Sequence, residues 1–257
     1  MGEGPATPEA SPLPAAPAPE RAVPNALQAF GVLIGCFFAQ LVGGYVVGLW
    51  GGVTGTDRTE LAPATALAAM VLQAVALLWM LAPGRFQWLR GPVWADEGRR
   101  ASWNATATAA VVGVAVASFY VVIFTWLVPP DPDQPTGPLS EMAQTPGAPR
   151  AAWTLVALLL APPIEELIYR GVLLAGLERS WGRGYAVAGT TFIFLAAHAA
   201  ETIHYWPANL AVGALGLGTA LVRIRTGSLG PAIAMHFGYN ATMALVVHAS
   251  GTAAASW

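Results

Sequence analysis

The sequence predicts an all-α protein that lies in a membrane as a polytopic bundle of about seven transmembrane helices. Of its 257 residues, 55% are hydrophobic and only 10% are charged, whereas soluble domains carry about 25% charged residues. Hydrophobic segments long enough to cross a bilayer recur along the chain. The net charge of −2 gives no support for nucleic-acid binding, and the lone Cys36 excludes an internal disulfide. We therefore expect the lipid bilayer, and no nucleic acid, as a partner.

Hydropathy and tryptophan placement together define the predicted helices. Tryptophans fall near the ends of the hydrophobic segments, as expected for an aromatic belt at the membrane surface. The predicted segments are 27–50, 62–82, 103–128, 151–177, 186–203, 207–222 and 229–249. The belt tryptophans are Trp50, Trp79, Trp103, Trp126, Trp153, Trp181 and Trp206.

The chain is predicted to contain one folded domain behind a disordered tail. Residues 1–25 are rich in Pro, Ala and Glu and lack the pattern of a signal peptide. Residues 26–250 form the transmembrane domain, whose polar motifs fall within about 150–245. Arginines concentrate in alternate loops, so the positive-inside rule places the N-terminus in the cytoplasm. These arginines are Arg85, Arg90, Arg99, Arg100, Arg179, Arg183, Arg223 and Arg225.

The first three segments contain few polar side chains and are interpreted as scaffold. Segment one contains Gly31-xxx-Gly35 and Gly44-xxx-Gly48, a spacing that permits close helix contact. Packing within the chain is favoured over dimerisation, and the sequence assigns no oligomeric state. The Pro- and Asp-rich loop 129–150 is predicted to be flexible.

Segment four places two carboxylates and an arginine in an otherwise apolar run. A charge at the bilayer centre costs roughly 2.5–3.5 kcal/mol on insertion scales, so it is rare there without a function. Glu166 and Arg170 are four residues apart on one helix face and can pair. Pro162 and Pro163 cannot donate hydrogen bonds and are predicted to kink the helix beside Glu165.

Two further segments carry polar residues at membrane depth. His198 lies in segment five, and His236 and Asn240 lie one helical turn apart in segment seven. Because hydrocarbon cannot solvate these groups, we expect them to share an internal, hydrated cavity with the two glutamates. A buried carboxylate beside a water molecule and a histidine is typical of a general base in hydrolysis.

The sequence leaves the role of a metal open. Glu165, His198 and His236 could together bind Zn²⁺ with one open position, although the HExxH pattern of many zinc proteases is absent. His236 and Asn240 could instead donate hydrogen bonds to a developing oxyanion.

These residues resemble the motifs of a known family, the CAAX prenyl protease and bacteriocin-processing (CPBP, ABI) intramembrane proteases. The order of the motifs, their spread over three helices and the Gly227-Ser228-Leu229 lead-in all fit. The resemblance covers roughly residues 150–245. The motifs are Glu165-Glu166-xxx-Arg170, Phe194-xxx-His198 and His236-xxx-Asn240.

The resemblance implies an intramembrane endopeptidase in a bacterial-type plasma membrane, acting on a membrane-associated protein or peptide. It implies that Glu165 activates the attacking water with help from His198, and that His236 and Asn240 form the oxyanion side. It implies that Glu166 supports the site, with Arg170 as its partner. The family has been described both as metalloproteases and as metal-free glutamate proteases, and its members include prenyl-protein proteases and bacteriocin-processing or immunity proteins.

Two other functions remain open from the sequence. A non-proteolytic immunity or scaffolding protein of the same family could keep the motifs for helix packing. A proton-coupled transporter could use intramembrane Glu and His as a relay, but no internal repeat relates the two halves of the chain.

Several polar residues are predicted to lie outside the site. They fall near segment ends, where membrane-interface positions are expected, and Arg223 and Arg225 are interpreted as topology signals. The others are Glu201, His204, Asn209 and His248.

Overall fold

The computed structural model describes residues 24–82, 101–131 and 137–249. These residues are almost entirely helical and contain no β-strand, which confirms the predicted all-α fold. Five of the helices are long and apolar enough to cross a membrane, as in a multi-pass membrane protein. The predicted tail lies almost wholly outside the described residues, and so do the arginines at 85, 90, 99 and 100.

The predicted number of seven spans is not confirmed. Segments 186–203 and 229–249 are helical, but neither is among the five candidate spans. The first is divided at His198 into helices of 15 and 4 residues. In the second, His236 and Asn240 lower the hydropathy of the helix. The five spans are Ala26–Thr54, Glu60–Leu81, Trp103–Leu127, Ala148–Trp181 and Trp206–Thr226.

Eleven α-helices follow one another in the described residues, and two π-helical turns interrupt the central one. The α-helices are α1 (Ala26–Thr54), α2 (Arg58–Leu81), α3 (Trp103–Leu127), α4 (Pro138–Gln144), α5 (Ala148–Leu155), α6 (Ala161–Glu166), α7 (Leu174–Trp181), α8 (Arg183–Ala197), α9 (Ala199–Thr202), α10 (Trp206–Thr226) and α11 (Leu229–Ala249). The π turns, Val156–Leu160 and Leu167–Leu173, join α5, α6 and α7 into one continuous helix.

This composite helix lies at the centre of the bundle. Every residue from 166 to 174 is buried, so the helix is surrounded on all sides by other elements. A helix that is apolar all round is expected in such a position. The charged residues Glu166 and Arg170 therefore lie in the most enclosed part of the molecule, where neither side chain is exposed at all.

Helix α11 is held in place by a close backbone contact with α3. A Cβ atom at Gly113 would lie 1.9 Å from the carbonyl oxygen of Met235, and one at Gly238 would lie 2.3 Å from that of Ala110. Only glycine permits backbones to approach this closely. Since α11 carries His236 and Asn240, these two glycines help to set the position of both side chains.

Glycines also bring α1 and α2 together, and the closest backbone approach is at Gly43, which is outside the predicted pairs. A Cβ atom at Gly43 would lie 2.7 Å from the carbonyl oxygen of Ala68, whereas no atom of the described structure lies within 4 Å of one at Gly31 or Gly48. One glycine of each predicted pair also meets α2, since a Cβ at Gly35 would lie 3.8 Å from Met80 and one at Gly44 would lie 3.5 Å from Thr65, so packing within the chain occurs as favoured from the sequence.

The predicted aromatic belt is largely exposed on the outer surface, where it can face lipid headgroups. Trp153 is the exception, because it packs against Ala143 and Val247 and lines the internal cavity. The exposed members are Trp50, Trp79, Trp103, Trp126, Trp181 and Trp206.

We predict that Gly113→Ala destabilises the protein by about 1–3 kcal/mol, because the new methyl group must push α3 away from α11. The free energy of unfolding in detergent micelles measures the effect. Gly48→Ala is the matched control, since its methyl group meets no described atom. Equal stability of the two variants would contradict the close α3–α11 contact.

Candidate active site

The paired prolines create the first feature of the site, a carbonyl without its helical partner. In the π turn that precedes α6, the backbone N–H of Ala161 donates to the carbonyl of Val156. The next donor in this pattern would be Pro162, which has no N–H. The carbonyl of Ala157 instead accepts a hydrogen bond from Asn240 Nδ2 at 2.7 Å. The proline therefore gives α11 an attachment point on the central helix.

Glu166 forms the buried centre of the charged cluster. Its Oε1 atom lies 3.2 Å from Arg170 Nη1 and 2.9 Å from His236 Nδ1. Because a carboxylate oxygen only accepts, the imidazole donates through Nδ1, which fixes the orientation of its ring. The Glu166–Arg170 contact predicted from the sequence is present, and the contact with His236 adds a link between two helices.

Arg170 links the central helix to two more elements. Its Nη2 donates to the carbonyl of Gly216 on α10 at 2.8 Å, and its guanidinium carbon lies 4.5 Å from the ring centre of Phe194 on α8. A Cβ atom at Gly216 would already be 3.1 Å from the Phe194 ring. The absence of a side chain at this position therefore lets the ring and the guanidinium stack closely.

Glu165 points away from this ionic core and into a cavity. Its side chain is 18% exposed, compared with 0% for Glu166. Its Oε2 atom lies 3.8 Å from His198 Nε2 and 4.0 Å from His236 Nε2. Oε2 is enclosed and has no hydrogen-bond partner among the described residues. A carboxylate oxygen and two imidazole nitrogens thus face one another at distances that a single water molecule can bridge.

His198 is positioned by the end of its helix. Helix α8 stops at Ala197, and the backbone N–H of His198 donates to the carbonyl of Leu195. The imidazole Nδ1 donates to the carbonyl of Phe194 at 2.8 Å, so Nε2 is directed towards Glu165. The break in the helix therefore places the reactive face of the ring in the cavity.

Phe194 is fully buried and packs against most of the site. Its ring centre lies 4.5 Å from that of His198, 5.9 Å from that of His236 and 5.1 Å from that of Tyr169. It makes these contacts in addition to its stacking on Arg170. The predicted supporting residue thus holds both imidazoles through its ring.

A cavity of about 420 Å³ connects the site to the rest of the bundle. It brings together Glu165, His198, His236 and Asn240, whereas Glu166 and Arg170 lie behind its wall. The predicted shared cavity is therefore present for these four side chains, but Glu166, which is expected from the sequence to share it, does not line it. Its remaining walls come mainly from α1, α2, α4, α9, α10 and α11.

The segment 129–150, whose composition predicts a flexible loop, contains a helix that covers part of the cavity. Residues 138–144 form α4, and the carboxylate of Glu201 accepts hydrogen bonds from the backbone N–H groups of Leu139 and Ser140 at 3.1 and 3.2 Å. Glu201, which the sequence analysis places outside the site, thus caps this helix and lines the cavity. Gly137 permits the contact, since a Cβ there would lie 2.2 Å from Glu201 Oε2.

The other excluded residues have varied positions. Asn209 binds the side chain and the carbonyl of Thr202, at 2.7 and 3.1 Å, and so braces the turn after His198. His204 and His248 are exposed, in agreement with the prediction. Arg223, which is interpreted as a topology signal, lies in the last turn of α10 and is buried.

The predicted zinc ligands do not fit a zinc ion in this arrangement. Two ligands on a tetrahedral zinc ion lie about 3.4 Å apart when each bond is about 2.1 Å. The distances from Glu165 Oε2 to the two imidazoles are 3.8 and 4.0 Å. Within residues 24–82, 101–131 and 137–249, no group of three or more His, Cys, Asp or Glu side chains could hold a metal.

Comparison with known proteins agrees with the motifs. Residues 147–242 match a family model described as type II CAAX prenyl endopeptidase Rce1-like. This part of the chain is similar to the Rce1-like family. The matched segment contains all the predicted motif residues, and the resemblance to CAAX-type proteases is confirmed at the level of the family. No curated protein and no solved structure matches the chain.

We predict that Arg170→Met destabilises the protein by about 3–5 kcal/mol, because it leaves the Glu166 carboxylate buried without its counter-ion. Adding Glu166→Gln removes that charge and is expected to restore part of the stability. The measurement is the free energy of unfolding in detergent micelles for the single and double variants. Additive losses would show that the two side chains do not interact as described.

Proposed function

We propose that this protein is an intramembrane endopeptidase that hydrolyses a peptide bond of a membrane-associated protein or peptide. The observation that supports the proposal is the enclosed Glu165 Oε2 atom, which lies 3.8 Å from His198 Nε2 and 4.0 Å from His236 Nε2, so that one water molecule beside them can contact the carboxylate and an imidazole. The similarity of residues 147–242 to CAAX-type endopeptidases supports the same reaction class.

Glu165 would act as the general base. Of the two adjacent glutamates it is the one that lines the cavity, and a water molecule at about 2.8 Å from Oε2 can also contact an imidazole Nε2 atom. As Glu165 takes the proton, the water oxygen attacks the substrate carbonyl carbon and forms a tetrahedral intermediate. Breaking the C–N bond then returns that proton to the amine nitrogen of the leaving peptide. His198, fixed by its bond to the Phe194 carbonyl, would orient the water.

His236 and Asn240 would stabilise the oxyanion. Both line the cavity on one face of α11. One N–H of the Asn240 amide is used by the Ala157 carbonyl, and the second remains to donate to the intermediate. The Nδ1 atom of His236 donates its hydrogen bond to Glu166. The Nε2 atom can donate a second hydrogen bond, to the oxyanion, when both ring nitrogens are protonated. Glu166 and Arg170 would act as positioning residues, since neither reaches the cavity.

We also propose that the N-terminus lies in the cytoplasm of a cell with a bacterial-type plasma membrane. Arginine placement supports this orientation: Arg179 and Arg183 flank the turn between α7 and α8, and Arg225 lies near the end of α10. The α8 and α10 termini that carry these residues would then face the cytoplasmic leaflet.

We predict that Glu165→Gln abolishes cleavage without unfolding the protein. New protein termini are compared between membranes of cells that express the wild type or the variant at matched levels. Termini that depend on the wild type establish proteolysis and identify substrates. Glu178→Gln is the control, because Glu178 pairs with the exposed Arg183 outside the site. Identical termini with wild type and Glu165→Gln would favour the non-proteolytic scaffold.

A second prediction concerns metal dependence. Because Glu165 Oε2 and the two imidazoles lie farther apart than the ligands of one zinc ion, we expect purified protein to retain its rate of peptide cleavage after treatment with a chelator and removal of free metal. A zinc protease treated in parallel shows that the chelation was effective. Loss of activity that returns when Zn²⁺ is added would overturn the metal-free mechanism.

A further inference from the structure

We propose that Gln40 of α1 and Gln73 of α2 bind the main chain of the substrate peptide on the cavity wall contributed by α1 and α2. This inference rests on the proposed function and adds a recognition site to it. Both side chains line the same cavity as Glu165 and Asn240. They lie outside residues 147–242, in the helices that the sequence predicts to be scaffold.

The wall around these two amides is otherwise apolar. Neighbouring lining residues from the same helices are Phe37, Ala66, Ala69 and Met70. Gln73 is only 5% exposed and lies in the middle of a candidate membrane span. Burial of an amide in such surroundings costs about 1–3 kcal/mol unless its hydrogen bonds are made. The two amides at this position therefore require hydrogen-bond partners.

The contact between the two amides uses little of their hydrogen-bonding capacity. Gln73 Nε2 donates to Gln40 Oε1 at 3.5 Å, which is long for a hydrogen bond. Within the part of the chain that the structure describes, neither side-chain amide makes another hydrogen bond. The Gln40 amino group and the Gln73 carbonyl oxygen thus remain available as a donor and an acceptor.

A donor and an acceptor side by side match a peptide group. An extended chain presents a C=O and an N–H from its backbone, and a glutamine amide can bind both regardless of the substrate sequence. The pair is not required to join the helices, because Gly43 already brings α1 against the backbone of Ala68. Because the pair lies on the α1 and α2 wall of the cavity that also holds Glu165, it is suited to bind the main chain on one side of the scissile bond.

The test uses synthetic peptides that span a wild-type-dependent cleavage site and the full-length protein in detergent micelles. Gln73→Met and Gln40→Met each replace the amide with an apolar side chain of similar length. We expect kcat/KM to fall roughly threefold to tenfold in each variant, mainly through a higher KM. Thr190→Val is the control, because the buried Thr190 hydroxyl bonds only within α8 and does not line the cavity.

A substrate series separates recognition from a packing effect. Replacing one backbone amide of the peptide with an ester removes the N–H at that position. When the replaced amide is the one that Gln73 binds, the wild-type kcat/KM should fall by a factor similar to that of the glutamine substitutions. The same ester should cause no further loss in Gln73→Met, because the acceptor is already gone. Wild-type kcat/KM in both glutamine variants, or an equal ester effect in wild type and Gln73→Met, would overturn the inference. Cleavage by Glu165→Gln would instead overturn the proposed function itself.

Discussion

The fold depends on a buried carboxylate, Glu166, that contacts an arginine of its own helix and a histidine of another. Removing a carboxylate from water costs several kcal/mol, which Arg170 and His236 offset by direct contacts at 3.2 and 2.9 Å. Arg170 extends the network to the Gly216 carbonyl and the Phe194 ring. One charged centre therefore ties the composite helix to α8, α10 and α11.

Irregularities in the helices position the side chains of the site around this buried core. Two π turns flank the short α6 that carries both glutamates, and such turns are frequent at functional sites. Because Pro162 has no N–H, the carbonyl of Ala157 is able to accept a hydrogen bond from Asn240. The break in the helix at His198 directs its imidazole towards Glu165. Two adjacent glutamates consequently have different surroundings, since one is enclosed among ionic partners and the other faces a cavity.

The amino-acid sequence is sufficient to predict the helical fold and the convergence of the motif residues. Charged and polar groups at membrane depth must share an interior space, so burial alone is enough to place Glu165, His198 and His236 together. The family resemblance adds Arg170 as the partner of Glu166, and their spacing on the helix agrees. These inferences depend on burial and on short-range helix geometry, which a single sequence does express.

Other features depend on tertiary contacts that have no local signal. Glu201 caps a helix 61 residues earlier in the chain, and the Asn240–Ala157 bond joins residues 83 apart. Gln40 and Gln73 are isolated polar residues in the sequence of two scaffold helices, and only the fold brings them together on the cavity wall. The predicted seven spans are not confirmed, because polar motif residues and a helix break occur within segments that hydropathy treats as continuous.

The two neighbouring carboxylates are assigned different roles, since Glu165 takes part in the reaction and Glu166 supports the site. The most direct test measures peptide cleavage and the free energy of unfolding in parallel for purified Glu165→Gln and Glu166→Gln. The account predicts that Glu165→Gln retains the stability of the wild type and loses cleavage, whereas Glu166→Gln is destabilised. Full cleavage by Glu165→Gln, or a stability loss confined to that variant, would contradict it.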